Sequence, residues 1–149
     1  MEPSFADHWA RYQRALKQRN AALRANQRDL SIWDPTLVEH GEAMSSARER
    51  ALDTLRPYLA RVLGAFSGLD IDFGFRAGWA DGVPLAESLR LHTERDRERG
   101  STTSGPHRAD IALRIHGRTA RESLSRGQQK LTAVAMILSQ LQLLQDQRG

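Results

Sequence analysis

Two long runs of helically spaced apolar residues, separated by a short break, constrain the fold more than any other feature of the sequence. In the first run, apolar side chains recur at intervals of four, three, four, seven and seven residues, which is typical of one face of an amphipathic helix. The apolar residues of this run are Phe5, Trp9, Tyr12, Leu16, Leu23 and Leu30. The spacing therefore predicts a helix that ends near Leu30.

The break between the two runs contains two signals for the start of a helix. Asp34 can cap a helix and Pro35 suits its first turn, so a second helix is predicted to begin there. Its apolar face consists of Leu37, Met44, Ala51, Leu55, Tyr58, Val62 and Phe66. Pro57 lies within this run and is expected to kink the helix or divide it in two.

Two helices of roughly thirty residues joined by a short turn must run antiparallel and bury their apolar faces against each other. Residues 1–66 are therefore predicted to form a helical arm. Arg19 and Asn26 fall on the apolar face of the first helix, where a packed core would favour leucine. Arg19 is expected to pair with an acidic residue of the second helix, Glu39 or Glu49.

The remainder of the chain, residues 67–149, has a different pattern and predicts an α+β domain. Alternating apolar and polar residues indicate half-buried strands, and turn residues separate these strands from two helices. The predicted strands are residues 71–76, 111–115 and 118–122, and the predicted helices are residues 84–99 and 126–147. The final helix carries Leu131, Val134, Leu138 and Leu141 on one face. A few strands without sheet neighbours leave unpaired edges, so the arm is expected to be the more stable part.

The charge balance and the hydropathy pattern narrow the class of protein. A net charge of +4 and a sequence pI of about 10.3 favour polyanionic partners. The chain has no cysteine, which excludes disulfides and thiolate metal sites. The longest purely apolar run, residues 133–138, is too short for a membrane helix, and the N-terminus has no secretory pattern. A cytoplasmic protein without a membrane partner is expected.

The start of the final helix is the strongest candidate for a ligand site. Ser125 and Gln128 form the pattern of a capping box, which by itself needs no ligand. Gly127 changes this interpretation, because glycine in a helix costs about 1 kcal/mol relative to alanine. Glycine allows another group to approach the exposed amides at the positive end of the helix dipole. With the positive charges of Arg126 and Lys130, these residues suit the terminal phosphate of a nucleotide.

Three stretches of the sequence together resemble one protein family. Residues 124–130 (LSRGQQK) are similar to the signature motif of ABC-type ATPases. Residues 95–96, 99–102 and 105–110 (RD, RGST and GPHRAD) resemble the block that precedes this motif in the RecF family of DNA replication and repair proteins. Residues 12–20 (YQRALKQRN) resemble the first arm helix of that family. The three stretches occur in the family's order and cover nearly the whole chain.

The resemblance implies an ABC-type ATPase head, of which this chain holds a partial lobe, and a projecting helical arm. It also implies binding to DNA at single-/double-strand junctions, a nucleotide-dependent dimer and cooperation with recombination mediator proteins. ATP would be shared across the dimer, because Ser125 and Gly127, with Gln128 nearby, match the signature residues that contact the γ-phosphate held by the opposite subunit.

Two other motifs of an ATPase do not occur in the sequence. There is no G-x-x-x-x-G-K-[ST] phosphate-binding loop, and no apolar strand followed by paired acidic residues comes after the final helix. Magnesium would therefore be bound only through a partner subunit. The chain alone is not expected to hydrolyse ATP.

Basic residues of the first helix and of one loop are candidate contacts to DNA, or between the arm and the nucleotide site. They are Arg11, Arg14, Lys17, Arg24, Arg28, His107 and Arg108. An alternative is that the helix charges form a solvated face and that Arg108 pairs with Asp110 in a plain turn. The other histidines, which lack ligand spacing and are expected on the surface, are His8, His40, His92 and His116. No metal site is predicted.

A second hypothesis places the chain in a different class of protein. In it, the helical hairpin is a protein-interaction module, and the α+β part is only its base, with no nucleotide role. A folded chain that binds neither DNA nor a partner loaded with nucleotide would favour this alternative.

Overall fold

The computed structural model describes residues 4–67, 71–115, 118–119 and 124–147. The helices in these residues are α1 (Phe5–Arg24), α2 (Asp34–Ser67), α3 (Leu85–Leu91), α4 (Thr93–Arg99) and α5 (Arg126–Asp146). The strands are β1 (Ile71–Arg76), β2 (Asp110–Ile115) and β3 (Arg118–Thr119), and a 3-10 turn spans Pro106–Arg108. The predicted α+β class is confirmed.

Helix α1 ends at Arg24, well before the position that the apolar spacing predicted. Asn26 has a φ of 53°, a left-handed conformation that is incompatible with a continuing α-helix. The apolar spacing continues to Leu30 because this side chain is buried in the turn after the helix. It packs with Ala22, Leu23 and Trp33.

Helix α2 begins at Asp34, as predicted, and is continuous over 34 residues. Pro57 lies inside it, so the alternative in which this proline divides the helix is wrong. The proline removes one hydrogen bond to the carbonyl of Asp53. Both residues are exposed, so water can bind that carbonyl and the helix tolerates the proline.

The first part of α2 runs antiparallel to α1, as predicted. Near the start of α1, the guanidinium of Arg48 lies over the rings of Phe5 and Trp9, 5.6 and 5.9 Å from their centroids. Near the other end of α1, Arg19 donates a hydrogen bond to Asp34 at the start of α2 (2.8 Å). The order of these contacts is reversed between the two helices.

The predicted polar helix over residues 84–99 is divided into α3 and α4 at His92. The backbone of His92 has a φ of −96° and a ψ of 6°, which departs from α-helical values and separates the two helices. Helix α4 ends before Gly100, as predicted, and Gly100 takes a left-handed φ of 63°, the usual conformation at a helix C-terminus.

The three strands form one sheet in the order β1-β2-β3. Strands β2 and β3 pair antiparallel, with Arg114 opposite Thr119 and Ile115 opposite Arg118. All three predicted strands are therefore present. Residues 120–122, which were predicted to continue the third strand, lie outside the described residues.

The chain divides into two compact units. The first unit comprises Met1–Arg48 and Arg76–Asp110, and the second comprises Glu49–Phe75 and Ile111–Gly149. The core of the first unit contains Tyr12, Ala15, Leu16, Leu37, Met44, Leu85 and Leu89. The core of the second contains Leu52, Leu59, Val62, Leu63, Phe73, Leu124 and Ala135. Helix α2 supplies core residues to both units, so the division between the two compact units does not coincide with the predicted domain boundary at residue 66. The predicted domains, an arm of residues 1–66 and a lobe of residues 67–149, stay a prediction.

Helix α5 leaves most of its bulky apolar residues exposed. Three of the four residues on its predicted apolar face, Leu131, Val134 and Leu141, are 46%, 50% and 51% exposed. The buried residues of this helix are small or polar: Thr132, Ala135 and Ser139. The apolar face of α5 is thus largely uncovered by the described residues.

None of the helices in the described part of the chain combines the length and the apolar character that crossing a membrane requires.

Candidate functional site

Helix α5 begins with the predicted capping box. Ser125 Oγ accepts a hydrogen bond from the amide of Gln128 (3.3 Å), and Gln128 Oε1 accepts one from the amide of Ser125 (2.9 Å). The first four amides of a helix lack partners within it, and this reciprocal pair satisfies two of them. The amides of Arg126 and Gly127 have no acceptor among the described residues. Two adjacent backbone donors at the positive end of the helix dipole can bind an anion.

Gly127 is exposed at this helix start. Among the described residues, an added Cβ would come near only Ser125 Oγ, at 3.9 Å. No contact in the described part of the chain therefore requires glycine here, although glycine costs about 1 kcal/mol relative to alanine. A group outside these residues that approaches the backbone would account for it.

Two basic residues flank these amides. Arg126 and Lys130 are both exposed, and neither has an ion-pair partner among the described residues. The five residues of the predicted phosphate site thus lie together in the cap and first turns of α5. Their binding of a nucleotide phosphate stays a prediction.

The predicted basic residues of the first helix are all exposed but do not share one surface. A groove of about 560 Å³, termed the α1 groove, is lined by Gln13, Arg14, Leu16, Lys17, Asn20 and Arg24. Arg11 lines a different groove of about 380 Å³, together with Arg14, Gln18, Glu39 and His40 among others. Arg28 lies in the turn after α1, where its carbonyl accepts a hydrogen bond from Arg97 Nη2 (2.7 Å).

His107 and Arg108 lie in the 3-10 turn that leads into β2. His107 Nε2 is 3.0 Å from the carbonyl of Thr102, and its Nδ1 is 2.7 Å from the hydroxyl of Tyr12. Because a carbonyl can only accept, Nε2 carries the proton, and the neutral ring accepts the Tyr12 hydroxyl proton at Nδ1. Arg108 is exposed. His107 therefore has a structural role in the turn, and the DNA role of both residues stays a prediction.

We expect His107 to make the stability of the chain depend on pH. Burial lowers the pKa of His107 below its usual value. The unfolded chain then binds more protons than the folded chain between the two pKa values, so the free energy of unfolding rises with pH in that window. The contribution is complete above about pH 6.5 and is lost as the pH falls below it.

Urea denaturation at a series of pH values measures this dependence. The variant His107→Asn keeps polar atoms in the ring's place but does not titrate, so its stability should fall less steeply on acidification than that of the unchanged chain. Equal slopes for the two proteins would contradict the assignment.

A largely buried ion-pair network joins α1 to α2, to α4 and to the segment after α4. Arg19 donates hydrogen bonds of 2.8 Å from Nε to Asp34, and from Nη1 to both Asp96 and the hydroxyl of Thr102. The side chains of Arg19 and Asp96 are completely buried. The expected acidic partner in the second helix is confirmed, but it is Asp34, and the two residues named for it, Glu39 and Glu49, are wrong. The sequence showed the charge on an apolar face, but Asp96 reaches it only through tertiary folding.

The same network includes residues that sequence reasoning did not single out. Asn20 Oδ1 accepts hydrogen bonds from the amide and the hydroxyl of Thr102, both 2.8 Å. Gly105 has a φ of 136°, and an added Cβ would collide with the Tyr12 hydroxyl. The stretches at residues 12–20 and 95–110 therefore pack against each other, and polar side chains of one stretch make hydrogen bonds to polar groups of the other.

The surface positions expected for the other histidines are not confirmed, since His8 is half-buried and none of the three described is exposed. His40 is 4% exposed, and its Nδ1 lies 2.9 Å from Nδ1 of His8, a hydrogen bond between the two rings. His92 is half-buried, and His116 lies outside the described residues. Within the described ranges, no three His, Cys, Asp or Glu side chains are grouped as metal ligands would be.

Comparison with known proteins gives consistent relatives over the whole chain. The chain is 43% identical over 157 residues to the DNA replication and repair protein RecF of Stenotrophomonas maltophilia (strain R551-3), and 44% identical over 155 residues to that of Xanthomonas axonopodis pv. citri (strain 306). Both alignments cover 100% of this chain and 42% of the relative. The chain thus spans less than half the length of these curated relatives. No family model matches it.

Solved structures share the fold. A structure of the recombination mediator protein RecF-ATPrS in the RecFOR pathway superposes with a TM-score of 0.87 at 24% identity, over 95% of this chain and 42% of that one. A structure of RecF-ATP in the same pathway gives a TM-score of 0.86 at 24% identity, over 97% and 43% of the two chains. The fold described above is therefore that of the corresponding segment in those proteins.

Proposed function

The chain is a segment of the RecF family, and on this premise we propose that it acts in DNA replication and recombinational repair by contributing half of an ATP site to a second subunit. The relatives carry the name DNA replication and repair protein. The solved RecF structures are described as ATP and ATPrS forms. These names apply to the relatives, and the proposal extends their activity to this chain.

One observation carries the nucleotide role: the exposed amides of Arg126 and Gly127 have no acceptor within α5, and no side chain of the described residues closes the space around Gly127. Ser125 adds a hydroxyl, and Arg126 and Lys130 add positive charge. An anion that approaches along the axis of α5 would accept hydrogen bonds from these two amides, which have no carbonyl acceptor within the helix. The γ-phosphate of ATP is such an anion.

The rest of the ATP site must come from another polypeptide segment. The sequence contains no phosphate-binding loop to hold the α- and β-phosphates. Magnesium would be bound through the partner subunit, which would also position the attacking water. We therefore propose a nucleotide-dependent dimer in which this chain binds the γ-phosphate of an ATP molecule that the partner subunit holds. Recombination mediator proteins and DNA junctions are the further partners proposed from the family.

The proposal predicts that the chain changes the ATP hydrolysis of a full-length RecF relative when the two are mixed. We expect the rate to change in proportion to added chain until the partner is saturated. The variant Ser125→Arg replaces the hydroxyl with a bulky side chain at the phosphate approach and should abolish the effect. Ser46→Arg introduces the same charge at another exposed serine and should leave it unchanged.

A rate that never responds to the chain would contradict the half-site proposal, as would equal effects of Ser125→Arg and Ser46→Arg. In that event, a chain that is folded by circular dichroism and does not bind DNA would support the alternative class, a helical-hairpin interaction module without a nucleotide role.

A further inference from the structure

We infer that the α1 groove binds the phosphodiester backbone of DNA, and that Gln13 and Asn20 contribute to this site beside Arg14, Lys17 and Arg24. The inference rests on the proposed function, in which the chain binds DNA, and it assigns that binding to one face of α1. It also assigns no direct contact to Arg11 and Arg28, although both are basic and exposed.

The charge of the α1 groove favours a polyanion. Its lining contains three cations and no acidic residue. Among the described residues, Arg14 and Lys17 have no ion-pair partner, and Arg24 makes only a long hydrogen bond to the carbonyl of Gly100 (3.4 Å). The second groove shares Arg14 and adds Arg11, but its lining also contains Glu39, and a carboxylate there repels a phosphate. The two grooves therefore differ in what they can bind.

The spacing of the lining residues suits an extended ligand rather than a single phosphate. Gln13, Lys17, Asn20 and Arg24 follow each other at intervals of four, three and four residues, which places them along one face of the helix. At ~1.5 Å per residue this polar stripe is about 16 Å long. A DNA strand has one phosphate per ~3.4 Å of duplex axis, so a stripe of this length can lie beside more than one phosphate.

Asn20 is held in position for such a contact. Its Oδ1 already accepts two hydrogen bonds from Thr102, so the side-chain amide is oriented with Nδ2 as its remaining donor. That donor has no partner among the described residues. Side-chain amides of this kind make neutral hydrogen bonds to phosphate oxygens, which fix the register of a nucleic acid without reading its sequence.

Two matched pairs of variants of the full chain test this assignment, with binding to a short fluorescein-labelled duplex followed by anisotropy over a range of salt concentrations. The double variant Lys17→Gln/Arg24→Gln removes two charges from the α1 groove. It should weaken binding at low salt by about tenfold or more and reduce the slope of log affinity against log salt by about 1.8, since each lost phosphate contact removes ~0.9. The double variant Arg11→Gln/Arg28→Gln removes the same charge elsewhere and should change the slope little.

The second pair adds a negative charge to one groove or the other. Gln13→Glu should weaken DNA binding severalfold, whereas Gln18→Glu, the same change on α1 but in the second groove, should not. If the unchanged chain binds DNA but both variants of a pair lose the same affinity, the assignment of DNA binding to the α1 groove is wrong, although the chain still binds DNA. An unchanged chain that is folded and does not bind the duplex would overturn both.

Discussion

Replacing Arg19 with methionine is expected to destabilise the folded chain by about 3–5 kcal/mol, the usual cost of removing one partner from a buried ion pair. Arg19 and Asp96 are completely buried, and methionine fills a similar volume without a charge. The loss therefore comes from the Asp96 carboxylate, which stays in the core without its cation. Asp34 contributes less, because its side chain is 32% exposed and water can solvate it.

Urea denaturation followed by circular dichroism measures this effect. Arg11→Met removes an exposed arginine from the same helix and should change the stability by less than about 0.5 kcal/mol. The double variant Arg19→Met/Asp96→Asn should be more stable than Arg19→Met alone, because the asparagine carries no charge and can still accept the hydrogen bonds from Thr103 that Asp96 accepts. A loss below about 1 kcal/mol for Arg19→Met would contradict the role of the pair.

Replacing Gly127 with alanine is expected to have opposite effects on stability and on function. Alanine should stabilise α5 by about 0.5–1 kcal/mol, because it loses less backbone freedom on folding and the described residues leave room for its methyl group. Because a helical Cβ tilts toward the N-terminus, the same methyl group would narrow the approach to the amides of Arg126 and Gly127. It should therefore reduce the effect of the chain on a full-length partner's ATP hydrolysis by on the order of tenfold or more, as the loss of a positioned backbone donor typically does.

Gly64→Ala is the matched control for this prediction. Gly64 is also an exposed helical glycine, and nothing among the described residues lies within 4 Å of an added Cβ. We expect a similar gain in stability from Gly64→Ala and an unchanged effect on the partner. If Gly127→Ala stabilises the chain and the chain still changes the partner's ATP hydrolysis as before, the proposal that Gly127 allows a phosphate to approach is wrong.

The features that sequence reasoning predicted correctly depend on residues close together in the chain. The start of α2 at Asp34 and the capping box between Ser125 and Gln128 each need only a few neighbouring residues. The strands followed from alternation within six residues. The motif stretches identified the family, because they preserve order along the chain and need no knowledge of the fold.

The features that sequence reasoning missed depend on contacts between segments that are distant in the chain. The buried partner of Arg19 is Asp96, 77 positions away in sequence, and no local pattern distinguishes this carboxylate from Glu39. The end of α1 was predicted too late, because Leu30 continues the helical spacing while it packs from a turn. The spacing showed which large apolar residues of α5 share a face, but it did not show that the small residues pack and that most of the large ones are exposed. The division of the basic residues into two grooves likewise required the positions of α1 and α2.

The central claim is that the start of α5 binds the terminal phosphate of a nucleotide that another subunit holds. Sedimentation of the chain with an excess of a full-length RecF relative, in the presence of ATP or of ADP, tests it most directly. We expect a complex with ATP that is lost with ADP, weakened by Ser125→Arg and retained by Ser46→Arg. A complex that forms equally with either nucleotide, or no complex at all from a folded chain, would contradict the claim.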